Sequence, residues 1–350
     1  MGAYMTCFLT GMAVAPLIGG LMIEHWWWGS VFLLGAPVML LTLVAAPRLL
    51  PEYRTPTAGR IDLRSAALCL ASILLVVAAL KMVVNNGWSW VPIAVATLGL
   101  TSGIIFVRRQ RAIDDPLVDL SLLRRPGVAR VMWVLFLTAL LMGGTSIFTA
   151  FYLQSARGLT PLRAALCLLP SMLAMIVAAN LGPWLGRHVR PSRVILGSLL
   201  VMATGFACYA VIPAGPSGLV AVIGGSVLAT AGIGAAFPYL MNDVISHAPQ
   251  ERAGSAASFA QTANEIGIAT GLVILGSIGT IVYRSSISSR VDGSWVDGFR
   301  RASEQHDPTL LHHVQSAFTD GFRAVGGFGL LVMAAVLLLR LNRTRKAARA

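Results

Sequence analysis

The feature that most constrains this chain is a series of long, uninterrupted apolar runs. The hydrocarbon core of a bilayer is about 30 Å thick, and about 20 helical residues cross it. Because the runs are continuous rather than alternating in polarity, they predict helices instead of strands. The predicted fold class is an all-α polytopic membrane protein. We expect ten transmembrane helices, near Tyr4–Ile23, Ser30–Ala46, Ser65–Val84, Val91–Val107, Val131–Leu153, Ala164–Leu185, Val194–Ile212, Leu219–Leu240, Ser255–Tyr283 and Phe322–Leu339.

The charge composition agrees with a protein that lies in a lipid bilayer. Only 12% of the 350 residues are charged and 56% are hydrophobic, whereas soluble domains carry about 25% charged residues. On a soluble chain, the net charge of +13 would suggest a nucleic-acid ligand. Here the basic residues lie between the apolar runs. We therefore assign them to connections beside the bilayer and expect no nucleic-acid partner.

The distribution of arginine and lysine predicts the orientation in the membrane. Most basic residues fall in alternate connections, at 47–64, 108–130 and 187–193, and in the C-terminal tail. The intervening connections hold far fewer. Cytoplasmic loops carry the excess of basic residues in membrane proteins. We therefore expect both termini in the cytoplasm and the protein in the plasma (inner) membrane.

The first apolar run contains regularly spaced small residues. Residues four apart lie on one helix face, so small side chains there let a second backbone approach closely. A proline in the run removes one backbone donor and bends the helix. Generic packing of small residues is the alternative explanation. The residues of this pattern are Gly2, Gly11, Ala15, Pro16, Gly19 and Gly20.

This spacing resembles the antiporter signature in the fifth helix of drug:proton antiporters of the major facilitator superfamily. The family usually has glycine at the position of Ala15, and alanine keeps that face small. Further similarity follows in the family's order at Pro116–Leu120, Tyr152–Pro161 and Ala248–Ala256. Together these segments resemble the fourteen-helix, QacA/EmrB-like branch.

The resemblance implies a division of the chain. The ten spans correspond to helices five to fourteen of that branch, so the sequence is interpreted as a truncated transporter that lacks the first four helices. Residues 1–46 then hold the last two helices of the N-terminal bundle, and residues 47–130 hold two linker helices with their cytoplasmic connections. Residues 131–350 form the C-terminal six-helix bundle. Its outside loop, at 284–321, is expected to contain a short amphipathic helix.

Two acidic residues are candidates for proton and substrate coupling. Glu265 lies roughly ten residues into a predicted span, where an ionised carboxylate must face a water-filled cavity, pair with a cation or take up a proton. The resemblance supports this role, since QacA-like members use a carboxylate on this helix for cations. The alternative is a structural acid bonded to neighbouring side chains. Asp243 lies near the end of its span, where headgroup solvation explains it as well as a proton relay.

Several polar and aromatic residues in or beside the spans could line a cavity. Hydrogen bonding between helices explains the polar members equally well. An aromatic ring could stack on a flat cation, although such rings more often pack in the core or face lipid. The candidates are Asn180, Gln154, Tyr152, Asn264 and Phe237.

Catalytic and metal-binding patterns are absent from the sequence. There is no HExxH, GxSxG or P-loop motif. The four cysteines lie inside apolar runs and form no CxxC pair. We therefore expect no enzymatic activity, no catalytic residue, no metal site and no cofactor.

The predicted function is proton-coupled efflux of hydrophobic, cationic drugs or antiseptics by antiport. The expected partners are such small molecules, protons and the lipid bilayer, and the sequence identifies no protein partner. One alternative is export of an endogenous metabolite or a lipid precursor. A second alternative is a membrane protein that does not transport and instead binds a full-length transporter.

Overall fold

A computed structural model of the chain describes residues 2–49, 62–86, 89–113, 126–213, 215–246, 253–287, 295–305 and 307–347. Of the segments that resemble the antiporter family, 116–120 and 248–252 lie outside these residues. The α-helices are α1 (Gly2–His25), α2 (Ser30–Leu49), α3 (Leu63–Asn86), α4 (Trp90–Ala112), α5 (Pro126–Phe151), α6 (Pro161–Leu185), α7 (Pro191–Ala210), α8 (Ser217–Ser246), α9 (Ala253–Ser286), α10 (Trp295–Gln305) and α11 (Pro308–Ala347). A π-helical turn, Tyr152–Ala156, follows α5.

A long helix coincides with each of the ten predicted spans. Among the described residues, nine helices are long and apolar enough to cross a membrane, and they begin with the segment Ser30–Arg48. These observations confirm the all-α polytopic fold class.

The predicted loop at 284–321 is wrong in its boundaries, because most of its described residues are helical. Helix α9 continues to Ser286, and α11 already begins at Pro308. Polar residues on the first turns of α11 lower its hydropathy, while Val314 and Phe318 of the same turns are buried. The short helix α10 is strongly amphipathic, as expected for this segment.

Asp307 caps the N-terminus of α11. Its carboxylate accepts hydrogen bonds from the backbone N–H groups of Thr309, at 2.9 Å, and Leu310, at 3.3 Å. The bond from the Thr309 hydroxyl and these backbone bonds hold the pKa of the Asp307 carboxyl below its usual value. The cap explains why the helix begins before the apolar run does.

Helices α5 to α9 and α11 form one bundle whose contacts run through small residues. Helix α5 packs on α9, α8 packs on both α6 and α7, and α11 packs on α7 and α9. A Cβ atom added to Gly267 of α9 would lie 2.6 Å from the carbonyl oxygen of Phe136 in α5. One added to Gly205 of α7 would lie 2.6 Å from the backbone nitrogen of Ala229 in α8. The backbones therefore touch where side chains are missing.

Buried hydroxyl groups link α6 to α8. The hydroxyl oxygens of Ser171 and Ser226 are 2.7 Å apart, and Thr230 donates to the carbonyl oxygen of Ser171 at 2.9 Å. Tyr239 donates to the carbonyl oxygen of Gly182 at 2.7 Å. In a membrane, such bonds satisfy polar groups that lipid cannot.

An aromatic cluster joins the short helix α10 to the bundle. Phe148 of α5 is fully buried, with ring centroids 5.1 Å from Trp295 of α10 and 5.7 Å from both Phe318 and Phe322 of α11. Offset and tilted ring pairs at these distances are favourable. The cluster therefore fixes α10 against the end of the bundle.

Helices α3 and α4 form a hairpin closed by an ion pair. The guanidinium of Arg109 donates from Nε to Asp62 Oδ2 at 3.0 Å and from Nη2 to Oδ1 at 3.2 Å. Ser65 donates its hydroxyl to the same carboxylate at 2.6 Å. The hydrogen bonds from Arg109 and Ser65 hold the pKa of the Asp62 carboxyl well below its usual range. A fork-shaped donor and a carboxylate make the strongest type of ion pair.

We predict that Asp62→Asn loosens the α3–α4 hairpin, because the amide cannot accept both guanidinium bonds. Hydrogen exchange at the first turn of α3 and the last turn of α4 should become faster at neutral pH. The folded pKa of Asp62 is lowered, so this stabilisation is present above the unfolded pKa of about 3.9 and is lost as pH falls further. The difference in hydrogen exchange between Asp62→Asn and the parent chain should therefore be present above about pH 3.9 and disappear at lower pH.

The matched control is Asp297→Asn, since Asp297 pairs with Arg300 on the exposed side of a single helix, at 3.3 Å. That pair joins no two helices, and its loss should leave the α3–α4 hairpin unchanged. Equal exchange in Asp62→Asn and the parent chain at pH 7 would contradict the role of the pair.

Within the small-residue pattern of α1, the close approach to α6 lies at Gly20. A Cβ atom on Gly20 would lie 2.9 Å from the Cα atom of Leu162 in α6, and Gly19 is also buried. Gly11 has nothing within 4 Å of such an atom, and Ala15 and Pro16 are exposed. The expected close backbone approach is therefore observed at Gly20 and not along the whole face. The helix itself begins at Gly2.

We predict that Gly20→Ala destabilises the packing of α1 on α6 by about 1–3 kcal/mol, as overpacking does elsewhere. The measurement is thermal unfolding of the purified chain in detergent. Gly11→Ala is the control, because its methyl group meets open space and alanine favours a helix. Equal unfolding temperatures for the two variants would show that the Gly20 contact carries no stability.

Candidate functional site

Glu265 lies well inside α9, the helix that packs on α5. At 1.5 Å per residue it is about 18 Å along the helix axis from Ala253. Its side chain is exposed, and Oε1 accepts a hydrogen bond from Gln261 Nε2 at 2.8 Å. The bonding partner is thus an amide one turn earlier on the same helix.

Glu265 belongs to a polar face of α9 formed by Ser258, Gln261, Thr262 and Glu265. These residues recur every three or four positions, so they lie on one side of the helix. All four are exposed. The opposite side carries Gly267, which is pressed against α5. Packing on α5 therefore directs the polar face away from the bundle core.

In the part of the chain that the structure describes, no cationic side chain pairs with Glu265. Glu265 is not a member of the ion pairs observed there, such as those of Arg109, Arg300 and Arg323. An amide donor can bond a carboxylate without neutralising it. The Gln261 amide therefore leaves the second carboxylate oxygen of Glu265 open to a further partner.

Asp243 occupies a different level of the bundle. It lies in the last turn of α8, which ends at Ser246, and its side chain is half-buried. Helix α9 begins a few residues later, at Ala253, and Glu265 lies more than three turns into it. The structure therefore places the two acids on adjacent segments but does not bring them together.

The predicted cavity residues do not form one group. Asn180 is exposed and donates Nδ2 to the carbonyl oxygen of Ile176 at 2.9 Å, so its own helix satisfies it. Gln154 is exposed, Asn264 is half-buried beside Glu265, and Phe237 packs against the core. None of these four residues is placed around a shared pocket by the described contacts.

Tyr152, the fifth of these residues, is buried in the π-helical turn. Its hydroxyl oxygen accepts bonds from Arg157 Nη2, at 2.6 Å, and Nε, at 3.1 Å. The guanidinium carbon lies 5.1 Å from the ring centroid. Tyr152 therefore lines a polar cavity at the end of the bundle where α5 ends and α6 begins.

The other polar residues of that cavity were not among the predicted site residues; they are chiefly Arg323 and Asp320 of α11. These two form an ion pair at 2.7 Å. A usable signal was present, because an arginine three residues after an aspartate marks an i,i+3 pair at the edge of an apolar run. The buried Ser171–Ser226 contact between α6 and α8 had no comparable signal, since it joins residues far apart in sequence.

Comparison with known proteins extends these observations. The chain is 31% identical to the multidrug efflux pump LfrA of Mycolicibacterium smegmatis, over 81% of this chain and 56% of that protein. It is 26% identical to the methyl viologen resistance protein SmvA of Salmonella typhimurium, over 79% and 56%. It is also 26% identical to the multidrug resistance protein Stp of Mycobacterium tuberculosis, over 77% and 50%.

The chain spans about half the length of the curated relatives it matches. A family model for the Major Facilitator Superfamily matches residues 1–272, which include α1 to α8 and the polar face of α9. The helical architecture agrees with that match. The chain therefore belongs to the Major Facilitator Superfamily of membrane transporters.

Proposed function

We propose that this chain acts in proton-coupled export of hydrophobic, cationic small molecules by antiport. The observation that carries the proposal is the accessible carboxylate of Glu265 on the polar face of α9. Relatives named for multidrug efflux and methyl viologen resistance support it, because methyl viologen is an aromatic dication. We also propose that the chain belongs to the fourteen-helix branch and lies in the plasma membrane with cytoplasmic termini, as the basic residues of its connections predict.

The physical basis of coupling is competition for one carboxylate. An ionised Glu265 attracts a cation, and this attraction is strong where water is scarce. A proton removes the negative charge and releases the cation. Since an uncompensated charge in the membrane is costly, either the proton or the cation should occupy the site while it is shielded from water.

The side-chain amide of Gln261 is proposed to assist the exchange of a proton for a cation at Glu265. Its Nε2 group donates to Oε1, which orients the carboxylate while the group keeps its charge. Rocking of helix bundles about this level would expose the site to each side of the membrane in turn. Asp243, in the last turn of α8, is proposed as a relay for protons at the nearer end of the bundle.

The matched relatives are about one and a half times as long as this chain, and transport by alternating access needs two bundles. We propose that the activity belongs to a longer protein that supplies the second bundle. Transport tests should therefore use the product of the complete reading frame, including any coding sequence upstream of Met1, beside the chain as given. The chain alone is expected to show no coupled transport.

We predict that Glu265→Gln abolishes pH-gradient-driven efflux of ethidium from cells, because glutamine neither binds a proton nor carries a charge. Glu265→Asp should retain part of the efflux. Glu24→Gln is the matched control, since Glu24 is also an exposed acid, in the last turns of α1. Protein amounts in the membrane are compared by immunoblot, so that loss of efflux is not confused with loss of protein.

Efflux that is unchanged in Glu265→Gln would remove Glu265 from the mechanism. No ethidium efflux from the parent protein, with export of an endogenous compound instead, would favour a metabolite or lipid-precursor exporter. Co-purification with a complete transporter, together with no transport by the complete reading frame, would favour a binding partner that does not transport.

A further inference from the structure

The polar cavity at the α5–α6 end of the bundle contains two guanidinium groups. It has a volume of about 240 Å³ and lies between the π-helical turn, the connection from α7 to α8, and the first turns of α11. We propose that this cavity, here named the guanidinium cavity, binds a phosphate-type oxyanion. Its principal lining residues are Tyr152, Arg157, Gly215, Gln315, Asp320 and Arg323.

Arg157 holds its guanidinium at one side of the cavity through neutral partners. Nε and Nη2 donate to the hydroxyl oxygen of Tyr152, and Nη2 also donates to the carbonyl oxygen of Gly215. A guanidinium has five N–H donors. In the described part of the chain, the two N–H groups of Nη1 have no acceptor and Arg157 has no carboxylate partner. The two N–H groups of Nη1 therefore remain available to a ligand.

Arg323 is the second arginine of the cavity, and its guanidinium is held by the backbone that follows α7. Its Nε and Nη2 atoms donate to the carbonyl oxygen of Ile212, at 2.8 and 2.6 Å. Nη1 donates to Asp320 Oδ1 at 2.7 Å. The carboxylate of Asp320 thus neutralises one of the two guanidinium groups, and the described lining keeps an excess of positive charge.

The backbone around the cavity fixes both arginines before a ligand arrives. Gly215 has a φ of 83°, a conformation that favours glycine. A Cβ atom on Gly218 would lie 2.5 Å from the Tyr152 hydroxyl oxygen and 2.8 Å from Arg157 Nη2. Gln315 ties α11 to the π-helical turn through its bond to the carbonyl oxygen of Ala156, at 2.9 Å. Preorganised donors reduce the entropy lost on binding.

The chemistry of the lining selects the ligand class. A guanidinium is a preferred partner of phosphate oxygens in proteins, and here the two N–H groups of Arg157 Nη1 are the donors left for one. The volume equals that of about eight water molecules, which suits a phosphate group and its few waters. Drug-sized ligands usually occupy about 300–1,000 Å³. A cation would be repelled, so this site is distinct from the proposed export site at Glu265.

A phosphate group could come from solution or from a lipid headgroup. The test uses the purified chain in detergent, where binding of radiolabelled inorganic phosphate is measured by equilibrium dialysis at constant ionic strength. Saturable binding that sodium chloride does not displace is expected. A second arm compares Arg157→Gln with the parent chain for retention of phosphatidylglycerol over phosphatidylcholine in nanodiscs. An effect of the substitution in the second arm alone would assign the site to lipid phosphate.

Two variants and a control make the outcome specific. Arg157→Gln should weaken phosphate binding at least about tenfold, the usual scale for losing a charged hydrogen-bonding group. Asp320→Asn should tighten binding several-fold, because it removes the competing carboxylate, and unfolding cannot produce a gain in affinity. Arg163→Gln is the control, since Arg163 is an exposed arginine at the start of α6, outside the cavity.

The proposal is overturned if neither phosphate nor phosphatidylglycerol binds in a way that depends on Arg157. It is also overturned if Arg163→Gln weakens binding as much as Arg157→Gln, or if Asp320→Asn leaves affinity unchanged. Glu265→Gln should not alter phosphate binding, so the result is independent of the proposed export mechanism.

Discussion

Contact between helices at small residues is the constraint on which the rest of this structure depends. Lipid tails are as apolar as the side chains, so moving a side chain from lipid into a helix interface gives little hydrophobic free energy. Helices in a membrane therefore associate through close packing and hydrogen bonds. Here glycines press α9 onto α5 at Gly267 and α7 onto α8 at Gly205. These contacts set the rotation of each helix. The rotation of α9 turns Glu265 away from the core.

The cost of charge in a membrane separates two kinds of ionisable residue in this chain. Asp62 and Arg109 satisfy each other at the start of α3 and the end of α4, whereas Asp320 and Arg323 pair with each other within α11. Glu265 instead has an amide, and not a guanidinium, as its hydrogen-bonding partner among the described residues. An ion pair gives each charged group a fixed partner, whereas we propose that a carboxylate without a cationic partner exchanges a proton for a cation. The contrast supports a structural role for the pairs and a coupling role for Glu265.

Most of the architecture could be predicted from the sequence, because helix formation across a bilayer depends mainly on local apolarity. The loop at 284–321 could not, since buried residues such as Phe318 are interleaved with polar ones on the first turns of α11. For the site, the spacing of residues indicated the depth of Glu265. The hydrogen bond from Gln261 could not be predicted, because it depends on side-chain conformation. The guanidinium cavity could not be predicted either, because it is formed by three segments that meet only in the folded chain.

We propose that one carboxylate on α9, that of Glu265, exchanges a proton for a cation. The most direct measurement is proton release from the purified full-length protein in weakly buffered detergent solution when a cationic ligand is added. Proton release is expected in the parent protein and none is expected in Glu265→Gln. Equal release by both proteins, or ligand binding by the parent protein without any release, would contradict it.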